Sequence, residues 1–243
     1  MTSNRPVQVF DTALNASRQI AKDVAQIIRQ KNQSGEYCVL GLATGSTPKS
    51  FYAELVRMHR EEDLSFNKVI TFNLDEYYPM QPQAVQSYHR FMHEHLFDHI
   101  DIPKDQVHIP DGMLTEDEII HYCIEYEKKI ADSGGLDLQI LGIGRTGHIG
   151  FNEPGSGRKS KTRLISLDRI TKLDAASDFN GAEYVPNRAI TMGVGTILKA
   201  KKIILMAWGE GKSEIIKKSL EGPVTDQIPA TFLQNHPNTD VFF

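Results

Sequence analysis

Apolar positions fall along the chain in two alternating rhythms. Short, nearly continuous apolar runs at 37–42, 69–73, 136–143 and 201–207 read as buried strands, with shorter candidates at 7–10 and 107–109. Between them the spacing changes to three and four. Leu14, Ile20, Val24, Ile27 and Ile28 form a stripe running through Lys31, opened by Asp11 or Thr12 as a cap and closed by Ser34 and Gly35. Phe51, Tyr52, Leu55 and Val56 form a second stripe, with Pro48 suited to the first helical turn. Ser87 opens a third segment with Phe91, Leu96, Phe97 and Ile100 inward. Thr115 and Glu118 form a capping box for a helix over 115–130 whose inward residues are Ile119, Ile120, Cys123, Ile124 and Tyr126. Ser213 begins another with Ile215, Ile216 and Leu220. The stretch 189–196 reads as a compact crossing from strand through turn to helix, and 229–233 as a last short helical piece. Residues 240–243 look like the start of a final strand that stops abruptly, which leaves open both a natural chain that continues and an end that has been trimmed.

About six strands alternating with helices, without an internal repeat, predict an α/β fold: a doubly wound, mostly parallel sheet with helices on both faces. The 243 residues, 40% of them hydrophobic, suit one substantial core, so residues 1–243 are expected to form a single domain. A net charge of -4 gives the whole molecule no attraction to nucleic acid or an anionic membrane. No window reaches the roughly 18 apolar residues of a membrane span, and the N-terminus lacks the pattern of a secretory signal. Cys38 and Cys123 lie in apolar patterns and read as buried thiols, so the expected setting is the cytoplasm and the expected partner a small molecule.

Candidate chemistry collects where predicted strands end. After the run at 37–42 comes a turn with Thr44, Gly45, Ser46 and Thr47, leading into a helix; hydroxyl and backbone donors at a helix N-terminus suit a phosphate, although these residues also serve as ordinary caps. The spacing is neither a Walker loop nor a dinucleotide fingerprint, which leaves a phosphate ester as the better ligand. After 69–73 come the adjacent carboxylates Asp75 and Glu76, which extended backbone points in opposite directions, one toward a ligand and one into the loop. After 136–143 the chain breaks into closely spaced glycines and presents His148 and Glu153 before Pro154. Lys212 stands at a strand end and helix start, where it suits an anion as well as an ordinary helix face. His89, His93, His95 and His99 lack the spacing and companions of a zinc site, and no metal is expected.

Three of these stretches together resemble one family. The runs Thr71-Phe72-Asn73-Leu74-Asp75-Glu76-Tyr77, Gly147-His148-Ile149-Gly150-Phe151-Asn152-Glu153-Pro154 and Thr191-Met192-Gly193-Val194-Gly195-Thr196 closely resemble the glucosamine-6-phosphate deaminase (isomerase) family. The related 6-phosphogluconolactonases share the Gly-His element but lack the Phe-Asn-Glu-Pro run. The resemblance implies a Rossmann-like sandwich and conversion of glucosamine 6-phosphate and water to fructose 6-phosphate and ammonia, without metal or redox cofactor. By motif, Asp75 resembles the base that moves a proton between C2 and C1, His148 the group that opens the sugar ring, and Glu153 the carboxylate that orients the imidazole. Thr44, Gly45, Ser46 and Lys212, with Thr47 beside them, resemble the phosphate-binding set. The segment at about 155–185 resembles a lid, and relatives that are monomers or symmetric oligomers make a homo-oligomer an admissible state. The other readings are a different sugar-phosphate isomerase, a lactonase-like hydrolase, or a sugar-phosphate sensor without catalysis.

Two departures from the family pattern bear on the chemistry. Arg145 and Thr146 stand where many members carry an aspartate before the Gly-His pair, so Thr146 supports the imidazole by hydrogen bonding without a charge. Asp178 aligns with a lid arginine that contacts phosphate, and Arg169 and Lys172 are the expected replacements.

Overall fold

The computed structural model describes residues 7–243. Seven parallel strands form the main sheet: β1 (Val7–Gln8), β2 (Cys38–Leu42), β3 (Val69–Asn73), β5 (Val107–His108), β6 (Leu138–Gly142), β9 (Ile203–Met206) and β10 (Thr239–Phe242). Their order across the sheet is β1-β10-β9-β6-β2-β3-β5. A second sheet of three antiparallel strands, in the order β4-β8-β7, comprises β4 (Asp75–Tyr78), β7 (Arg163–Ser166) and β8 (Arg188–Thr191). The helices are α1 (Ala13–Ser34), α2 (Lys49–Glu61), α3 (Tyr88–His95), α4 (Glu116–Asp132), α5 (Arg169–Ala175), α6 (Val194–Ile197) and α7 (Ser213–Glu221).

The expected α/β fold with a mostly parallel, helix-flanked sheet is what forms. Continuous burial of β2, β6 and β9 explains why their sequences read as apolar runs rather than alternations: both faces of these strands are covered. Capping follows the local chemistry. Thr12 Oγ1 accepts the Asn15 N–H at 3.1 Å, Gly35 takes a left-handed conformation after α1, and the Thr115/Glu118 box opens α4. The 240–243 stretch is not a sheet edge: β10 lies between β1 and β9.

The second sheet departs from expectation. Residues 75–78 extend as a strand paired with β8, Asp75 opposite Thr191, and Arg163–Ser166 rises out of a polar stretch to pair on the other side of β8. This small sheet packs on α4 through Tyr78, Ile119, Cys123 and Ile190, reinforced by Arg188, which bonds Glu116 at 2.7 Å and lies over the Tyr78 ring. Among the described residues no helix is long and apolar enough to cross a membrane.

The strand order locates a crevice. From β2 the chain moves to its neighbour β3, whereas from β6 it passes on to β9 on the opposite flank, so the ends of β2 and β6 mark the point where the winding reverses. Ligands of open α/β sheets bind at such a point.

Candidate active site

Three strand ends converge on a cleft of about 290 Å³ at this reversal. From β2 come Ala43, Thr44, Gly45, Ser46 and Thr47; from β3, Leu74 and Asp75; from β6, Ile143, Gly144 and His148. The first loop is held from behind: Tyr52 OH donates to the Ala43 carbonyl at 2.5 Å and Trp208 Nε1 to the Thr47 carbonyl at 2.9 Å. With these two carbonyls held away from the cleft, the loop lines it with hydroxyl-bearing residues just before α2, a setting that suits an anion.

Asp75 and Glu76 diverge as extended backbone requires. Asp75 faces the cleft yet is only 5% exposed, and burial, reinforced by the negative charge of Glu76, pushes its pKa up to about 8 against the pull of the Phe151 N–H. Glu76 turns away and caps α3. Its carboxylate accepts the backbone N–H groups of Tyr77, Tyr88 and His89 at 2.9, 3.0 and 2.9 Å and the Ser87 hydroxyl at 3.1 Å. Burial raises its pKa, and these four donors restrain the rise.

His148 is placed by its glycine neighbours. A Cβ on Gly144 would lie 2.1 Å from the imidazole Cε1, so the ring packs where only glycine leaves room. Its Nδ1 is 3.0 Å from Thr146 Oγ1, 3.4 Å from Thr171 Oγ1 and 3.4 Å from Glu153 Oε2, which leaves Nε2 for a ligand. Glu153 is nearly buried. Burial pushes its pKa up, but His148, the Thr171 hydroxyl and the Asp168 N–H outweigh that effect and leave it below its ordinary value. Glu153 therefore stands ionised behind the ring. The loop that carries the pair is fastened by Asn152, whose Nδ2 donates to the Ile149 and Met192 carbonyls, both at 2.8 Å. Arg163 in turn bonds Asn152 Oδ1 at 3.0 Å and Ser156 Oγ at 2.9 Å.

The expected phosphate cations are placed differently. Lys212 lies just behind the cleft wall, half-buried, with Nζ 2.8 Å from the carbonyl of Ile143. Arg169 and Lys172 are not brought to the cleft. They flank a separate hollow on the far side of α5, where Lys172 Nζ bonds Asn187 Oδ1 at 2.5 Å. The face that α5 and the turn after it present to the cleft is Thr171, Asp174, Ala175 and Asp178. These positions follow the i, i+3, i+4, i+7 phase of a helix, a signal present in the sequence that assigns 169 and 172 to the opposite side. Tyr77, Tyr88 and Phe151 complete the lining as a set of packed rings. A larger hollow of about 680 Å³ between α4 and β7 is lined by apolar side chains, including Cys123, and by charged ones, and shares no residue with the lining of the cleft.

The sequence profile described as "Glucosamine-6-phosphate isomerases/6-phosphogluconolactonase" matches residues 11–242. The chain belongs to this family. It is 47% identical over 97% of its length to a putative glucosamine-6-phosphate deaminase-like protein of Bacteroides thetaiotaomicron, of which it spans only about a third (36%). It is 46% identical over 92% of its length to glucosamine-6-phosphate deaminase of Thermoanaerobacter pseudethanolicus, covering 87% of that protein. A monomeric glucosamine-6-phosphate deaminase of known structure superposes with a TM-score of 0.92 at 39% identity, over 97% of this chain and 95% of that one. The 6-phosphogluconolactonase of Thermotoga maritima, at 21% identity and a TM-score of 0.76 over 97% of both chains, shares the fold. The expected kinship and sheet architecture are both met.

Proposed function

We propose that this chain binds glucosamine 6-phosphate in the cleft at the ends of β2, β3 and β6 and converts it, with water, to fructose 6-phosphate and ammonia. The observation that carries the reading is the meeting of Asp75 and His148 in one cleft with the 44–47 loop, each held in a distinct electrostatic setting. The proposal draws support from the deaminases of similar sequence and structure.

Each residue takes a step that its surroundings favour. The phosphate, remote from the reacting carbons, docks on the hydroxyls and amides of Thr44, Gly45, Ser46 and Thr47, which fixes the sugar's orientation. His148, with Nδ1 turned toward Thr146 and Glu153, delivers a proton from Nε2 to the ring oxygen as the ring opens and takes up the proton that the C1 hydroxyl releases on becoming the aldehyde, and ionised Glu153 stabilises the charged imidazole. Asp75, as carboxylate, removes the proton from C2 and returns it to C1 while a proton passes from the amine nitrogen to O1, which turns the C1 aldehyde into a hydroxymethyl group and leaves an imine at C2. Water adds at C2 to give a carbinolamine, and its collapse to the ketone releases ammonia. The segment from 155 to about 185, which supplies Thr171, Asp174 and Asp178 to the cleft, serves as its cover.

Ammonia and fructose 6-phosphate are to be measured together with the purified chain and glucosamine 6-phosphate, beside the D75N variant. Stoichiometric appearance of both products, lost by at least about a thousandfold in D75N, is the expected result. No turnover by folded protein would end the reading. Hydrolysis of 6-phosphogluconolactone, or ketose formation without ammonia, would transfer the chain to another branch of sugar-phosphate chemistry.

A further inference from the structure

The charge at the cleft has the wrong sign for a phosphorylated ligand. Among the described lining residues Asp75, Asp174 and Asp178 are carboxylates, and none is a lysine or an arginine. A dianion entering such a space needs cations from just outside its lining, and two stand near the Ile143–Gly144 wall. Lys212 is held on the Ile143 carbonyl. Arg145, adjacent in sequence to the lining residue Gly144, is engaged by the lining residue Asp174: Nε donates to Asp174 Oδ2 at 2.9 Å and an Nη2 N–H to Oδ1. The charges of Asp174 and Arg145 both act on Lys212, so the three form one electrostatic cluster beside the cleft.

We propose that Arg145 is a phosphate ligand held in reserve by Asp174. When a phosphorylated sugar occupies the cleft, the guanidinium exchanges its two bonds to the Asp174 carboxylate for two bonds to the phosphate, joining Lys212 and the 44–47 loop. The assignment rests on reading the cleft as a sugar-phosphate site and adds to that reading the residue that selects for the phosphate. The exchange is chemically even-handed, because the planar fork of a guanidinium matches phosphate oxygens as it matches a carboxylate. It is also accessible. The Arg145 side chain is 59% exposed and that of Asp174 37%, so the pair is weakly held and the released carboxylate is taken up by water. A cation parked on an acid of the same cleft accounts for Asp174 on the cleft-facing side of the lid, while Arg169 and Lys172 lie on the other side.

The two partners make opposite predictions, which separates a ligand from a fastening. Binding of inorganic phosphate and of fructose 6-phosphate to the full chain is to be measured by calorimetry for the wild type, R145A, R145K and D174N, each checked by thermal melting. Arg145→Ala is expected to weaken fructose 6-phosphate binding at least tenfold, and Arg145→Lys by less. Asp174→Asn, which removes the competing acceptor and one negative charge, is expected to tighten it severalfold. Parallel weakening in R145A and D174N, or no change in R145A, overturns the assignment and leaves the pair as a structural clasp while the sugar-phosphate reading stands. Failure of both probes to bind the wild type overturns the sugar-phosphate reading and this assignment with it.

Discussion

Asp75 and Glu76 show how two adjacent carboxylates acquire opposite tasks. Both are almost fully buried, but Glu76 has four hydrogen-bond donors around its oxygens and Asp75 is left chiefly with the cost of desolvation and its neighbour's charge. A base must be ionised to accept the C2 proton. With the Asp75 carboxyl pushed up to about 8, kcat/KM for glucosamine 6-phosphate is expected to rise about tenfold per pH unit below that value and to level off above it. Replacing Glu76 by Gln removes one cause of the elevation, so the rising limb is expected to move toward acid by about half to one pH unit. The same change weakens the charge-assisted cap of α3 and lowers stability by about 1–3 kcal/mol. pH–rate profiles of the two proteins, read beside urea melts, test both effects; a limb that stays in place in E76Q would show that Glu76 does not set the base. Thr146 belongs to the same scale. At 3.0 Å it fills the hydrogen-bond position of a relay carboxylate without its charge, so Glu153 at 3.4 Å is the negative partner of the His148 ring.

At the scale of elements, the main sheet was legible because its central strands are buried on both faces and its long helices α1 and α4 carry their caps in sequence. The small sheet was not. Strand β4 opens with two carboxylates, a composition that argues for a loop, and it extends only because β8 supplies a partner at every position from 75 to 78. Strand β7 lacks an apolar run because its residues are only partly covered. The placement of Arg169 and Lys172 failed for another reason. Charge suggested them, whereas helical phase, which puts 171, 174, 175 and 178 on one face, decided the matter. Asp75, His148 and the 44–47 loop were readable at once, since strand ends carry their chemistry in contiguous sequence.

The join between the two sheets also rests on one element contact. Gly193, at the start of α6, lies under the backbone of the strap that leads into β7: a Cβ there would be 2.2 Å from the Ser160 carbonyl oxygen and 2.5 Å from the Lys161 nitrogen. Its φ of -76° is ordinary, so the demand for glycine is steric alone. The strap cannot lift freely, because the Ser160 carbonyl accepts the Gly195 N–H at 2.8 Å and Thr162 is tied to Glu127 through its N–H at 2.8 Å and its hydroxyl at 2.6 Å. Gly193→Ala is therefore expected to destabilise the protein by about 1–3 kcal/mol, seen as a lower urea midpoint with an unchanged m-value. An unchanged midpoint would mean that the strap yields without loss.

On the scale of the whole molecule, stability and function are distributed unequally, and the distribution follows burial. Strands β2, β6 and β9 sit at the centre of the main sheet with their side chains fully covered. Their amides should open only with global unfolding. The segment from α5 to β8 is another matter. It contributes Thr171, Asp174, Ala175 and Asp178 to the cleft, exposes Ile170, Leu173 and Tyr184, and is held to the 145–148 loop by Arg145 with Asp174 and by Thr171 with His148. Few buried contacts and several exposed hydrogen bonds place it at the low-stability end, as its proposed role of cover requires. Hydrogen exchange of the free protein is thus expected to be slowest in 38–42, 138–142 and 203–206 and faster by orders of magnitude in 169–184. Saturation with fructose 6-phosphate should slow exchange in 44–48, 144–150 and 169–178 while leaving the central strands unchanged, since ligand binding can protect only what opens below the global limit. If 169–184 exchanged as slowly as β6 in the free protein, the cover would be part of the rigid core. Substrate would then have to reach Asp75 and His148 through the cleft as it stands, with no movement of α5.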